Sequence, residues 1–418
     1  MANTTLTSSI ITKKALMVLH NMLTFTKGVN TDYSSMFAVD GGKIGATVNI
    51  RKPPRYLGRS GQALQIENST ESFVPITLTN QDGCDISFSS ADLTLNIDDF
   101  SNRFLVPAMA TVANKIDNNG TLLYKDINRL VNHGASAANY GTAGALNGGA
   151  QTLLGVQGQI LTGGAILTEN GVPNNIPRAA VIDPISQVSI IQPQMALFNP
   201  TSKISGIFQD AAISSNTLGF DWASDANIQQ FTPMAAGSLT AISAAPVSGA
   251  TTVAVTTTAG TVPRGTVFSI AGVYAINPQS RASTGRLMQF VVTADTAVTT
   301  TGILPIYPAY IPANGPAPQF ATCTGTPGGT AAIVVYSGNV GAGPYSQNLL
   351  YTKEAFTLAT ADLVMPEGVH FAARENYQGI SLRIVQAYDI NSDMFPCRLD
   401  VLYGWKTLYP ECAIRHGG

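Results

Sequence analysis

The chain has 418 residues, which at about 150 residues per domain gives room for two or three domains. Apolar residues make up 45% and charged residues only 11%, with 23 Lys and Arg against 25 Asp and Glu. The near-cancellation excludes a disordered chain, which needs low hydrophobicity and high net charge, and argues against a dedicated nucleic-acid binder, whose domain is clearly basic. Low charge leaves two readings open: a subunit that buries much of its exterior against copies of itself, or a secreted β-rich protein held in solution by Thr, Ser, Asn and Gln.

In chain order, residues 12–25 read as a short amphipathic helix. Ile11, Ala15, Val18 and Met22 fall on one helical face, and Leu16, Leu19 and Leu23 form a second stripe beside it. Such a helix docks either on its own domain or on a neighbour. From residue 41 to 98 the pattern changes to strands: Thr47 to Ile50 alternates, and Phe73 to Leu78 and Ile86 to Phe88 do the same. Between them lies the densest basic cluster of the chain, Arg51, Lys52, Arg55 and Arg59, kept extended by Pro53 and Pro54. This predicts a long two-stranded arm with a basic side, marginal in isolation; a solvated charged loop is the alternative.

Leu105, Met109, Val112 and Ile116 predict a longer helix, with Asp98, Asp99 and Ser101 as capping candidates and Pro107 tolerable only near its first turn. Asn118-Asn119-Gly120 is expected to break it, with helix resuming through Leu122, Leu123, Ile127, Leu130 and Val131. Residues 135–235 read as small-residue loops with short strands such as Arg178 to Ile182. Across 236–344 only Arg264, Arg281, Arg286 and Asp295 carry charge, and strand-like runs recur between turn signals. An inserted all-β module, a small barrel, is expected there. Asn348 to Leu363 then reads as helix, while Gly379 to Val385 and Arg398 to Gly404 read as strands.

No chemistry stands out. Cys84, Cys323, Cys397 and Cys412 are too scattered for a disulfide framework and contain no CxxC pair for zinc, so reduced thiols are expected. The histidines His20, His133, His370 and His416 are isolated in sequence, and no HExxH, GxSxG or Walker A motif occurs. The glycine run Gly141 to Gly149 lacks a following Lys-Ser/Thr. Lys13 and Lys14 precede a short apolar run that His20 and Asn21 interrupt, so no signal peptide is expected, and no stretch approaches the ~20 apolar residues of a membrane span. The expectations are no catalytic, cofactor-binding or metal-binding residues, and no membrane.

Three segments carry a family resemblance. Arg264 to Pro278, followed by Leu287 to Thr293, resembles the inserted domain of coat proteins from short-tailed Salmonella-type phages. Asn348 to Thr360 resembles the helix that follows that insertion, and Arg398 to Trp405 with Pro410-Glu411 resembles the closing strands. Val48 to Arg55 is similar to the start of the family's extended loop.

The resemblance implies an α+β tailed-phage major capsid fold in which a β-barrel domain is inserted. The expected layout is an N-terminal arm (1–40), an extended β-loop (41–98), a peripheral domain with a spine helix (99–150), an axial domain (151–235), the inserted barrel (236–344) and return segments (345–418). It further implies hexamers and pentamers of the chain in an icosahedral shell around double-stranded DNA, contacted non-specifically. A scaffolding protein, a portal and assembly in the host bacterial cytoplasm come with it. Arg51, Lys52, Arg55 and Arg59 are then expected to reach carboxylates of a neighbouring subunit. The rival readings are a secreted β-rich adhesin or binding module and another virion part such as a tail-tube subunit.

Overall fold

The computed structural model describes residues 8–34, 37, 45–59, 61–64, 66–69, 71–89, 106–132, 156–195, 213, 216–234, 238–336, 344–391 and 394–417. The chain divides into two compact units, each assembled from separate stretches: 1–52, 73–121 and 356–408 in the first, and 53–72, 122–355 and 409–418 in the second.

The first unit is organised around the 14-residue strand Met394–Thr407, which is buried from Leu399 through Gly404. Along one edge it pairs antiparallel with Phe356–Ala361 and then with Ile380–Gln386; along the other it pairs with Asn80–Ser89. Phe371–Tyr377 completes the sheet beyond Ile380–Gln386. The strand Asn80–Ser89, read from sequence as part of the arm, therefore belongs to this sheet. The arm itself is the two-stranded pair Thr47–Lys52 and Ser72–Thr77.

Two helices cover the first unit. Helix α1 (Ser8–Met22) packs on the strands 371–377 and 380–386 and on the helix 106–121, and Thr12, Ala15, Leu16 and Leu19 are buried, with Leu23 just beyond. The second of the two predicted stripes is thus the core face, while of the first stripe Ala15 is buried, Val18 is half-buried and Met22 is exposed. The helix docks on its own unit. Helix α2 (Val106–Thr121) buries Met109, Val112, Ala113 and Ile116, with Pro107 at its second position, where the missing N–H costs nothing. The proposed caps Asp98, Asp99 and Ser101 lie outside the described residues.

The expected break at Asn118-Asn119-Gly120 does not occur: α2 runs through it to Thr121. Gly120 is there for packing, since a Cβ would sit 2.7 Å from Trp405 and 2.8 Å from Phe25. The Asn119 amide donates to the Tyr403 hydroxyl at 2.7 Å. Nor does α-helix resume beyond it, where a 3-10 turn (Leu122–Asp126) and a short strand (Leu130–Asn132) follow.

The second unit holds a sheet and a barrel. The sheet runs Leu130–Asn132, Ala413–Gly417, Tyr345–Thr352, Arg178–Ile182, Asp221–Ser224, with parallel pairing at both ends of the order. Helices α3 (Val156–Glu169) and α4 (Pro184–Met195) bury Ile160, Leu167 and Ile190 in one cluster with Ala180, Leu350 and Ile414. Both occupy sequence read as loop. The helix read over Asn348 to Leu363 is a further correction: it is the end of strand Tyr345–Thr352, a turn at 353–355, and strand Phe356–Ala361 in the first unit. Both strands are buried almost throughout, so no alternation exists to reveal them.

The barrel strands follow the order Leu239–Ile242, Ala250–Thr257, Thr301–Tyr310, Ser283–Val292, Val267–Ile276, Ile333–Val335. A bridge from Ala241 to Ala332, with Ile242 N donating to Ala331 O at 3.0 Å, closes the ring. Val253, Val255, Phe268, Phe290, Val292 and Leu304 fill its interior. Along Ala250–Thr257 the pleat sends Val253 and Val255 inward and leaves Thr252 and Thr256 exposed.

Candidate functional site: the basic loop and its anchors

Thr47–Lys52 ends with exposed Arg51 and partly exposed Lys52 in the first unit. The loop that follows, 53–72, belongs to the second unit and carries Arg55 and Arg59, both exposed. The four cations therefore do not form one cluster within one unit. Arg55 pairs with Glu411 at 3.3 Å, and Arg59 donates to the carbonyls of Gly61 and Ala63. Both guanidiniums have partners within their own chain.

The loop is held at several points. Arg281, in the barrel turn between Val267–Ile276 and Ser283–Val292, donates to Tyr56 O at 2.7 Å and Leu57 O at 3.2 Å. Leu57 N donates to the Glu67 carboxylate at 2.6 Å, and the Tyr56 and Ser69 hydroxyls lie 3.2 Å apart. None of these bonds buries an apolar side chain. Leu64 is 79% exposed and Ile66 83%, with Tyr56 at 53%. Sequence reasoning noted the loop's charge and missed this apolar content; the alternation Leu64-x-Ile66, with no core facing it, was the available signal.

The barrel is keyed to the rest of its unit by polar side chains. The Gln289 carboxamide accepts from Leu130 N and donates to Leu130 O, both at 2.9 Å. Arg264 meets Asp126 at 2.6 Å. Arg415 is wholly buried, donates to Gly265 O at 2.8 Å and lies over the Tyr124 and Phe231 rings. Burial lowers its pKa, while the cation–ring geometry supplies part of the solvation it has lost. The Tyr307 hydroxyl donates to Glu411, and burial, reinforced by that carboxylate, raises its pKa well above the ordinary phenol value.

The described histidines stay apart: His20 meets the Tyr377 ring edge-on, His370 meets Phe395, and His416 is buried beside Asn348. All four cysteines are free. Among the described residues no group of His, Cys, Asp or Glu is placed to hold a metal ion, and no described helix is long and apolar enough to cross a membrane. His133 and Gly141 to Gly149 lie outside the described residues.

A profile of the family described as "P22 coat protein - gene protein 5" matches residues 1–416. No curated protein sequence matches the chain. Solved structures similar to it include one from Mycobacterium phage Che8, 10% identical with a TM-score of 0.46, covering 95% of this chain and 90% of that one. The capsid of Ralstonia phage GP4 is 9% identical with a TM-score of 0.45, covering 95% and 91%. The CUS-3 coat protein I-domain is 22% identical with a TM-score of 0.20, covering 24% of this chain and 97% of that one.

Proposed function

The chain belongs to the P22 coat protein family and is a major capsid protein whose copies form a phage shell, and from that premise we propose that the loop 53–72 is its principal grip on a neighbouring copy. One observation carries this: the loop presents Leu64 and Ile66, each about four-fifths exposed, on a segment anchored by its own chain. Fully burying such a side chain contributes about 1.5–3 kcal/mol, against ~0–1 kcal/mol for an exposed ion pair. The apolar pair therefore supplies adhesion; Arg55, paired with Glu411, holds the loop, while Arg51, Lys52 and Arg59 set register against carboxylates of the neighbour. Weak contacts repeated around hexamers and pentamers then suffice to close an icosahedral shell.

The barrel serves subunit folding and local contacts between copies, a role supported by the bonds of Gln289, Arg264 and Arg415 that tie it to 122–132 and the C-terminal strand. A scaffolding protein, a portal, non-specific contact with packaged double-stranded DNA and assembly in the host cytoplasm complete the proposal. A near-neutral chain suits weak, sequence-independent contact with the genome. The test is electron microscopy of two variants, Leu64→Ser with Ile66→Ser, and all four cations replaced by Ala. Both are expected to give folded subunits; the first fails to assemble, and the second gives misclosed or no shells. Normal shells from both would overturn the assignment of the loop.

A further inference from the structure

Two adjoining cavities in the second unit meet at Arg129. The larger, about 100 Å³, is bounded by Arg55, Arg129 and Glu411; the smaller, about 20 Å³, by Arg129, Glu169 and Arg286. Arg55 is paired with Glu411 and Arg286 with Glu169. The side chain of Arg129 has no hydrogen-bond or ion-pair partner among the described residues. Three guanidiniums thus face two carboxylates, leaving one positive charge in excess.

The surrounding amides do not relieve it. Asn170 Nδ2 donates to Glu411 O and Asn128 Nδ2 to Gln289 O, each at 2.9 Å. A guanidinium is donor-only and offers a planar fork of N–H groups, so it calls for an acceptor from outside the chain. Water supplies an acceptor but leaves the charge uncompensated, whereas an oxyanion supplies both. Burial, with the Arg286 charge beside it, holds the Arg129 pKa down to about 10, so the group stays cationic at neutral pH. Arg129 is partly exposed, so the cavity is reachable from solvent.

We propose that this cavity binds one small free oxyanion, a carboxylate or a phosphate, on the Arg129 fork. The site stands independently of the shell-contact reading. Its occupation neutralises the excess charge beside the Arg55–Glu411 pair that anchors the basic loop.

The experiment measures the thermal midpoint of the purified, unassembled full chain in chloride, acetate and inorganic phosphate at matched ionic strength and pH. Wild type is expected to rise and saturate with acetate or phosphate, following linkage to a single site, and the stronger of the two identifies the anion class. Arg129→Met is expected to match or exceed wild type in chloride, because the uncompensated cation is gone, and to lose the anion response. A wild type indifferent to both anions, or a Met variant that keeps the response, would overturn the site. Should Arg129→Met fail to fold, Arg129→Lys retains the charge without the fork. Its response is expected to need at least tenfold more anion, and an unchanged response overturns the proposal.

Discussion

Replacing Gln289 by Leu interrogates how the barrel is joined to its unit. Gln289 is 4% exposed and its carboxamide acts as a surrogate backbone, bonding both the N–H and the C=O of Leu130 at 2.9 Å. Leu130 is 0% exposed, so water cannot take over either bond. Leu is close to Gln in volume, so the effect comes chiefly from the stranded Leu130 amide and carbonyl, with the Tyr336 hydroxyl also losing its Gln289 contact. Each unsatisfied buried group costs about 1–3 kcal/mol, giving an expected loss of about 2–6 kcal/mol. That is a large share of the 5–15 kcal/mol typical of a folded protein. The Asn128 bond to the Gln289 carbonyl survives and offsets nothing. The assay is urea unfolding of the purified chain, followed by circular dichroism and by fluorescence from Trp222, which lies in the same unit. Gln289→Glu keeps an acceptor but turns a second oxygen toward Leu130 O, and should be at least as damaging. A loss below about 0.5 kcal/mol for Gln289→Leu would refute the keyed-barrel reasoning.

Asp117, buried on α2, accepts from Thr24 N at 2.7 Å, Thr26 N at 3.1 Å and the Thr26 hydroxyl at 2.5 Å. Asp117→Ala should cost about 3 kcal/mol or more, at 1.5–3 kcal/mol per charged bond, and speed amide exchange at 24 and 26; unchanged exchange would contradict it. Gly120→Ala gains ~1 kcal/mol of helix propensity but drives a Cβ into Trp405 and Phe25, an overpacking cost of ~1–3 kcal/mol. A net loss of stability is expected, and a higher melting temperature would count against the close packing. Burial raises the Cys323 thiol from 9.0 to about 11. The thiol therefore contributes fully below pH 9 and less as pH climbs toward 11, because the unfolded chain ionises first. The pH slope of unfolding over that window should be shallower in Cys323→Ala than in wild type, and equal slopes would show that the thiol is not desolvated.

Much of the architecture was legible where one face of an element is buried and the other is not. The barrel strands alternate Val with Thr because the pleat sends one set inward, and α1 shows its Leu16, Leu19 and Leu23 stripe because its other side meets solvent. Pattern fails where burial is two-sided. Asn348 to Ala361 offers no period to count, and its runs of apolar and small residues fit a helix as well as two strands. Glycine misleads for a related reason. Gly120 and Gly163 sit inside helices because a neighbour presses close, with Leu350 Cδ1 only 2.9 Å from a Cβ at 163, and sequence alone reads such glycines as loop. The basic loop was visible as charge, but its pairing of Arg55 with Glu411, 356 positions away, depends on the fold. Arg129 gave no signal at all, since a lone arginine becomes a site only through the cavities that meet on it.

The most direct test of the capsid account is electron microscopy of the purified full-length chain, produced with and without a scaffolding protein. Closed shells of uniform diameter in at least one condition are the predicted result. Persistent monomers in both, with no sheets or tubes, would contradict it.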